Sequence, residues 1–363
     1  MLQQRGLSLV ELLISVTLGL ILMAGVVQMF LGSKQTFNSQ QAMSRVQETG
    51  RLAIEYISRD VRMAGYMGCP TRSQLGGVSI TSTLNSATTF RWDYLTGLRG
   101  YNFAAMSDSN YMELSALSGS SGEAIAPLLN TDLIQITSAS GNDTPITTLK
   151  DDTNFNTDST GAVANGCGTG KNRFNGLCEG DILVATDCIA AKVFHATSIT
   201  ESGGSIKVFH GAASGTIVPG NSVDTWGGAA SSDYSFGPGA ELVQMQKIVY
   251  YIKNNTAGQP SLWQWVNGKN SEVVEGVEGL SVTYGRDTDN NNVPDVYESA
   301  SAVGTSWADV KSVRIEVLVR STEDLLPESQ SYSFPMGAAA VSAADKRLRQ
   351  VFSATVGIRS RLQ

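Results

Sequence analysis

The sequence predicts an α+β protein, with one long N-terminal helix packed on a large antiparallel β-sheet head. Three observations predict it. An apolar run near the N-terminus is long enough to cross a membrane as a helix, and helical spacing continues beyond it. Strict alternation of apolar and polar residues marks the C-terminal third. Between the two lies a Gly-, Ser-, Thr- and Asn-rich stretch suited to turns.

The chain starts with a short basic leader, Met1–Gly6 (M-L-Q-Q-R-G). From Leu7 to Leu31 the only charge is Glu11. At ~1.5 Å per residue these 25 residues make a helix of ~37 Å, against a hydrocarbon core of about 30 Å. A carboxylate inside such a span is costly unless it finds a cation, so Glu11 is a candidate functional residue. Cleavage after Gly6 would make Leu7 the new N-terminus and Glu11 its fifth residue. The new α-amino group is largely cationic at neutral pH and can pair with a carboxylate at similar depth on a neighbouring subunit.

Polar residues take over from Gln35, but Val46, Gly50, Ala53, Ile57, Val61 and Ala64 still recur at steps of three and four. The spacing predicts one helix from Leu7 to Ala64. Glu55 and Arg59 are expected to pair across one turn, and Gly65 to cap the end. Strands are expected at Ile182–Ala185, Lys192–Ala196, Ile206–His210, Val243–Lys253, Leu262–Val266 and around Leu280–Tyr284. In Lys311–Arg320 the residues Val313, Ile315, Val317 and Val319 share one face. The expected organisation is a leader (1–6), a transmembrane and assembly helix (7–31), its amphipathic continuation (32–65), an elaborated region (66–240) and a C-terminal antiparallel sheet (241–363).

Composition excludes several function classes. Charged residues make up only 16 % of the 363, and the net charge is −7 with the acid concentrated in the head, so no direct nucleic-acid binding is expected. His195 and His210 are the only histidines and no H-E-x-x-H is present, which argues against histidine-based metalloenzymes. Both lie in strand-like runs and read as packing or surface residues. No nucleophile–base pair points to an enzyme. Gly166–Lys171 (G-C-G-T-G-K) imitates a phosphate loop, but Asn165 and Asn172 stand where that motif needs Gly and Ser or Thr. Trp263 and Trp265 share a strand face and suit a core or a subunit contact.

Two constellations remain. Four cysteines, Cys69, Cys167, Cys178 and Cys188, allow three disulfide connectivities. Cys167–Cys178 with Cys69–Cys188 is the favoured pairing. A zinc site is the rival, without C-x₂-C spacing, and free buried thiols are the third reading. Asp287–Glu298 (D-T-D-N-N-N-V-P-D-V-Y-E) places Asp287, Asp289, Asn291, Val293 (through its carbonyl), Asp295 and Glu298 at positions one, three, five, seven, nine and twelve of a calcium-type loop. Asn292 occupies the sixth position, where a left-handed turn is needed. A structural Ca²⁺ ion is expected there; a solvated acidic turn is the alternative.

The stretch R-G-L-S-L-V-E-L-L-I-S-V-T-L-G-L resembles the class III signal of type IV pilins and type II secretion pseudopilins, with Leu in place of the common Phe after Gly6. By that resemblance the fold is pilin-like, Gly6–Leu7 is the prepilin peptidase site, Leu7 is N-methylated and Glu11 directs assembly. Four runs further resemble the PilW group of minor pilins: Arg59–Cys69, Asp181–Cys188, Leu280–Asp289 and V-R-I-E-V-L-V-R-S from Val313. That group is related to the J-type minor pseudopilin of type II secretion, an alternative identity. The resemblance implies a minor pilin that helps to begin type IV pilus assembly in a tip priming complex, supporting twitching motility, adhesion and DNA uptake. Implied partners are other minor pilins, the major pilin, a tip adhesin and the inner-membrane assembly platform. The implied location is a single-pass inner-membrane precursor with a periplasmic head, then the pilus tip at the cell surface. A membrane-anchored periplasmic enzyme or binding protein is the alternative of another class.

Overall fold

The computed structural model describes residues 8–68, 80–103, 125–141, 143–187, 189–212, 218–228 and 233–362. The stem is one α-helix, Leu9–Arg62, of 54 residues, which at ~1.5 Å per residue is ~81 Å long. Ser8 caps its start, its hydroxyl accepting from the Val10 N–H. The helix ends two residues earlier than its apolar spacing suggests. The N–H groups of Met63 and Ala64 turn to the carbonyls of Asp60 and Val61, which tightens the last turn. Gly65, at φ 74°, donates instead to the Thr137 carbonyl at 2.8 Å and hands the chain to the sheet. The expected Glu55–Arg59 pair is replaced. Arg59 bonds Asp60 at 3.2 Å and lies over the Tyr56 ring, because Asp60 is fixed by the Tyr250 hydroxyl at 2.6 Å.

The head is built on two main sheets. The larger has nine strands centred on the 14-residue strand Glu241–Asn254. Apolar side chains along nearly all of this strand are buried, as expected for a strand covered on both faces. Its first residues pair with Ile182–Thr186 and Thr144–Pro145; its later residues pair with Thr131–Ala139 and Pro260–Val266. The strand therefore stitches the segment before residue 240 to the segment after it. Asn267 and Gly268, both at positive φ, make the two-residue turn into Lys269–Glu275. The second sheet orders Val296–Glu298, Val277–Arg286, Val310–Arg320 and Arg349–Gly357, all antiparallel. Among the described residues, the one parallel pairing between named strands lies in the larger sheet and joins Ile80–Ser82 to Ala191–His195.

The stem stripe fills the space between the sheets. Val46, Ala53, Ile57, Val61 and Ala64 join Ile134, Ile248, Tyr250, Val282, Ile315 and Val317 in one core. Each fully buried Ile or Val contributes about 1.5–3 kcal/mol. Gly50 allows close approach: a Cβ there would run into the Phe352 ring. A second core surrounds Phe155, Phe194, Trp226 and Phe236. His210 sits within it, fully buried, with its ring centre 4.5 Å from that of Trp226. Trp265 is buried with Phe90, Tyr101 and Tyr251, and Trp263 packs at the margin of the same cluster.

Candidate functional site

The N-terminal half of the stem forms the first site. Gly6 and Leu7 lie outside the described residues. Glu11 is in the first helical turn, where the helix dipole favours a carboxylate. From Leu9 to Leu31 the apolar side chains are exposed, most of them by more than half their surface. The head covers none of the most apolar 18-residue window, which is long and apolar enough to cross a bilayer. Ser15 and Thr17 satisfy their hydroxyls on helix carbonyls, so they present no unpaired donor to lipid. The arrangement leaves one carboxylate on an otherwise apolar cylinder, with no cation of the same chain paired to it among the described residues.

The acidic loop between Val277–Arg286 and Val296–Glu298 forms the second. Asp287, Asp289 and Asp295 bring carboxylate oxygens within 4.8 Å of one another. The Asp287 side chain is buried and accepts from the backbone N–H groups of Asn291 (3.1 Å) and Asn292 (2.9 Å). Burial alone would raise its pKa. Those N–H groups and the Lys311 ammonium at 3.6 Å outweigh it, holding the carboxyl below its ordinary range. Asp295 is also held low, chiefly by the backbone N–H of Thr288 at 2.7 Å and then by its hydroxyl. Asn290 and Asn292 take the left-handed conformation, at φ 61° and 65°. Asn291 Oδ1 accepts from the Val293 N–H. Glu298 points elsewhere: it lies on the returning strand and forms a two-pronged pair with Arg286, at 3.2 and 3.0 Å. The structure thus assembles three of the expected acidic groups and diverts the fourth. Lys311 was absent from the sequence expectation. It arrives from the start of the facing strand, a contact that no spacing within the loop encodes.

Cys167 and Cys178 form a disulfide, closing a small Gly- and Asn-rich loop with Cα atoms 5.7 Å apart. Cys69 and Cys188 lie outside the described residues. The phosphate-loop imitation starts one residue before this disulfide loop and lies between two two-residue strands, Ala162–Val163 and Arg173–Phe174, and no helix opens after it. His195 and His210 are both buried, and burial depresses the pKa of each.

The comparisons agree with the stem and with the second sheet. Residues 1–27 match the prokaryotic N-terminal methylation motif. Residues 249–360, from within the long central strand to beyond the C-terminal strand, match the model of type IV pilus-assembly protein W. Together the two matches support a PilW-type class III pilin. No curated protein and no solved structure matches the chain. The PilW match takes in the whole second sheet, whose Val282, Ile315 and Val317 pack in one core with the stem residues Ala53, Ile57 and Val61. Pilins are structural proteins, and the geometry described above suits a membrane-anchored type IV pilus minor pilin.

Proposed function

We propose that the chain helps to initiate type IV pilus assembly within a tip priming complex, in company with other minor pilins, the major pilin and a tip adhesin on the inner-membrane platform. Prepilin peptidase cuts between Gly6 and Leu7, the head stands in the periplasm, and the subunit ends at the pilus tip. Filaments begun this way serve twitching motility, adhesion and DNA uptake. The observation that carries the proposal is the uncovered apolar helix with Glu11 as its single charge from Leu9 to Leu31. In lipid that carboxylate is unfavourable. Beside the ammonium of a neighbour's processed N-terminus it is neutralised, so transfer into a helical bundle lowers its energy.

The test is Glu11→Gln in the full chain. The variant is expected in the membrane at the wild-type level and missing from sheared filaments. Normal incorporation overturns the proposal. A deletion strain separates the pathways: loss of surface pili supports this function, whereas loss of protein secretion with pili intact assigns the chain to a type II system.

The acidic loop is proposed to hold a structural Ca²⁺ ion on Asp287, Asp289 and Asp295. What supports it is three hard carboxylate donors within reach of one another, against a single ammonium. Asn291 and the Val293 carbonyl are close in sequence to complete the oxygen set. Millimolar Ca²⁺ is expected to raise the thermal midpoint of the head, and Asp287→Ala with Asp289→Ala to abolish that rise. A rise retained in the double variant shows that the loop is not the site.

A further inference from the structure

Sheet edges invite pairing with other chains, and natural proteins blunt them with charge, bulges, brevity or a covering element. Most edges of the two main sheets are blunted here. Lys269–Glu275 carries Lys269, Glu272 and Glu275, and its pairing is broken by a register shift at Leu262/Trp263. Ile80–Ser82 and Val296–Glu298 have three residues each. Leu98–Phe103 is met by the short helix Ala300–Val303, through Ser301 N–H to Asn102 Oδ1 at 2.9 Å.

The C-terminal strand Arg349–Gly357 differs. From Gln350 to Ile358 it has no charge and no proline, and its nine-residue register with Val310–Arg320 is unbroken. Its lower end is closed: the Arg349 N–H and carbonyl are both bonded by the Gln330 side chain, at 2.8 and 2.9 Å. At its upper end the Ile358 N–H points inward, to the Lys311 carbonyl at 2.9 Å. These ends fix the phase of the ladder. Backbone groups of a strand alternate sides, so Val351, Ser353 and Thr355 point theirs outward with Arg349. Those groups have no partner among the described residues. Ser353 and Thr355 also have exposed side chains.

We propose that this edge receives an extended, uncharged segment of a neighbouring pilin-type subunit, which adds to the second sheet as a fifth strand. The inference rests on the assembly function proposed above. The strand ascends alongside the stem: the Phe352 ring sits on Gly50, and Ser360 bonds the Ala64 carbonyl at 2.7 Å. A subunit whose helix packs on this stem is therefore carried to this edge, which continues the assembly surface into the head. The lack of charge selects the occupant, since a charged segment would be desolvated against a neutral strand. Antiparallel pairing of this strand with its own copy is excluded, because two stems anchored in one membrane cannot point in opposite directions. Main-chain hydrogen bonds supply the affinity in such an addition.

The experiment uses the full chain, expressed in a host strain lacking its own copy, and measures it in sheared filaments relative to membranes. Ser353→Pro removes one outward donor, and Thr355→Lys puts a charge on the edge; both side chains are exposed, and proline is accommodated on an edge strand whose N–H faces outward. Each variant is expected to fall about tenfold or more in filaments, with the thermal midpoint of the head unchanged. Ser353→Thr and Ser271→Lys, the latter on the already charged outer strand, are expected at the wild-type level. Wild-type incorporation of both edge variants overturns the strand addition and leaves the assembly function standing. An equal loss in Ser271→Lys also overturns it. Absence of the wild-type chain from filaments overturns the assembly function, and this inference with it.

Discussion

Glu11, Asp287 and His210 show how one ionisable side chain takes its meaning from its surroundings. Glu11 stands on an exposed apolar cylinder, with no cation of its own chain paired to it among the described residues. Asp287 is buried and has partners from its own loop and from Lys311. His210 is buried among Phe155, Phe194 and Trp226, and burial, aided by the Lys150 ammonium, pulls its pKa from 6.5 to about 3. A histidine kept neutral in the fold and protonated in the unfolded chain favours unfolding once pH drops below its unfolded value. The stability it protects is whole above pH 6.5 and declines as pH falls towards 3. The thermal midpoint of the head should therefore fall over that window, and more steeply than in His210→Phe. Parallel curves for the two proteins would remove His210 as a cause. That the two histidines are packing or surface residues was legible from their strand-like surroundings, and both are buried. The aromatic box around His210 was not, since its walls come from residues 155, 194 and 226.

At the scale of the element, the stem shows propensity yielding to packing. Glycine in a helix interior costs about 1 kcal/mol relative to alanine. Gly50 is kept because the Phe352 ring occupies the space a Cβ would fill. Overpacking costs about 1–3 kcal/mol, so Gly50→Ala should destabilise the head despite its better helix propensity. Phe352→Leu in that background should recover part of the loss. A double-mutant cycle on thermal unfolding measures the coupling, and strictly additive effects would refute the contact. The apolar spacing of the stem was legible because helical periodicity is local, and Val46, Ala53, Ile57 and Val61 are buried as that spacing requires. The acidic loop was half legible. Its Asp spacing brought three carboxylates together, whereas Glu298 was lost to Arg286 because the returning strand sets both on one side of a paired ladder.

Over the whole molecule, the head is a clamp of two sheets on the second half of a helix whose first half is bare. The long strand Glu241–Asn254 makes the clamp continuous, since it pairs both with strands from before residue 190 and with Pro260–Val266 after it. Sequence alone determined the membrane-crossing segment, the stem stripe, the strand-rich C-terminal third and the resemblance to pilins. Each of these is written in the hydrophobic period or in a contiguous motif, and neighbours in the chain suffice to encode it. Tertiary structure alone decided which strands share a sheet, that Gly50 seats Phe352, that Lys311 faces Asp287, and which edge stays open. Those facts depend on contacts between residues far apart in the chain, where local pattern carries no record of who meets whom.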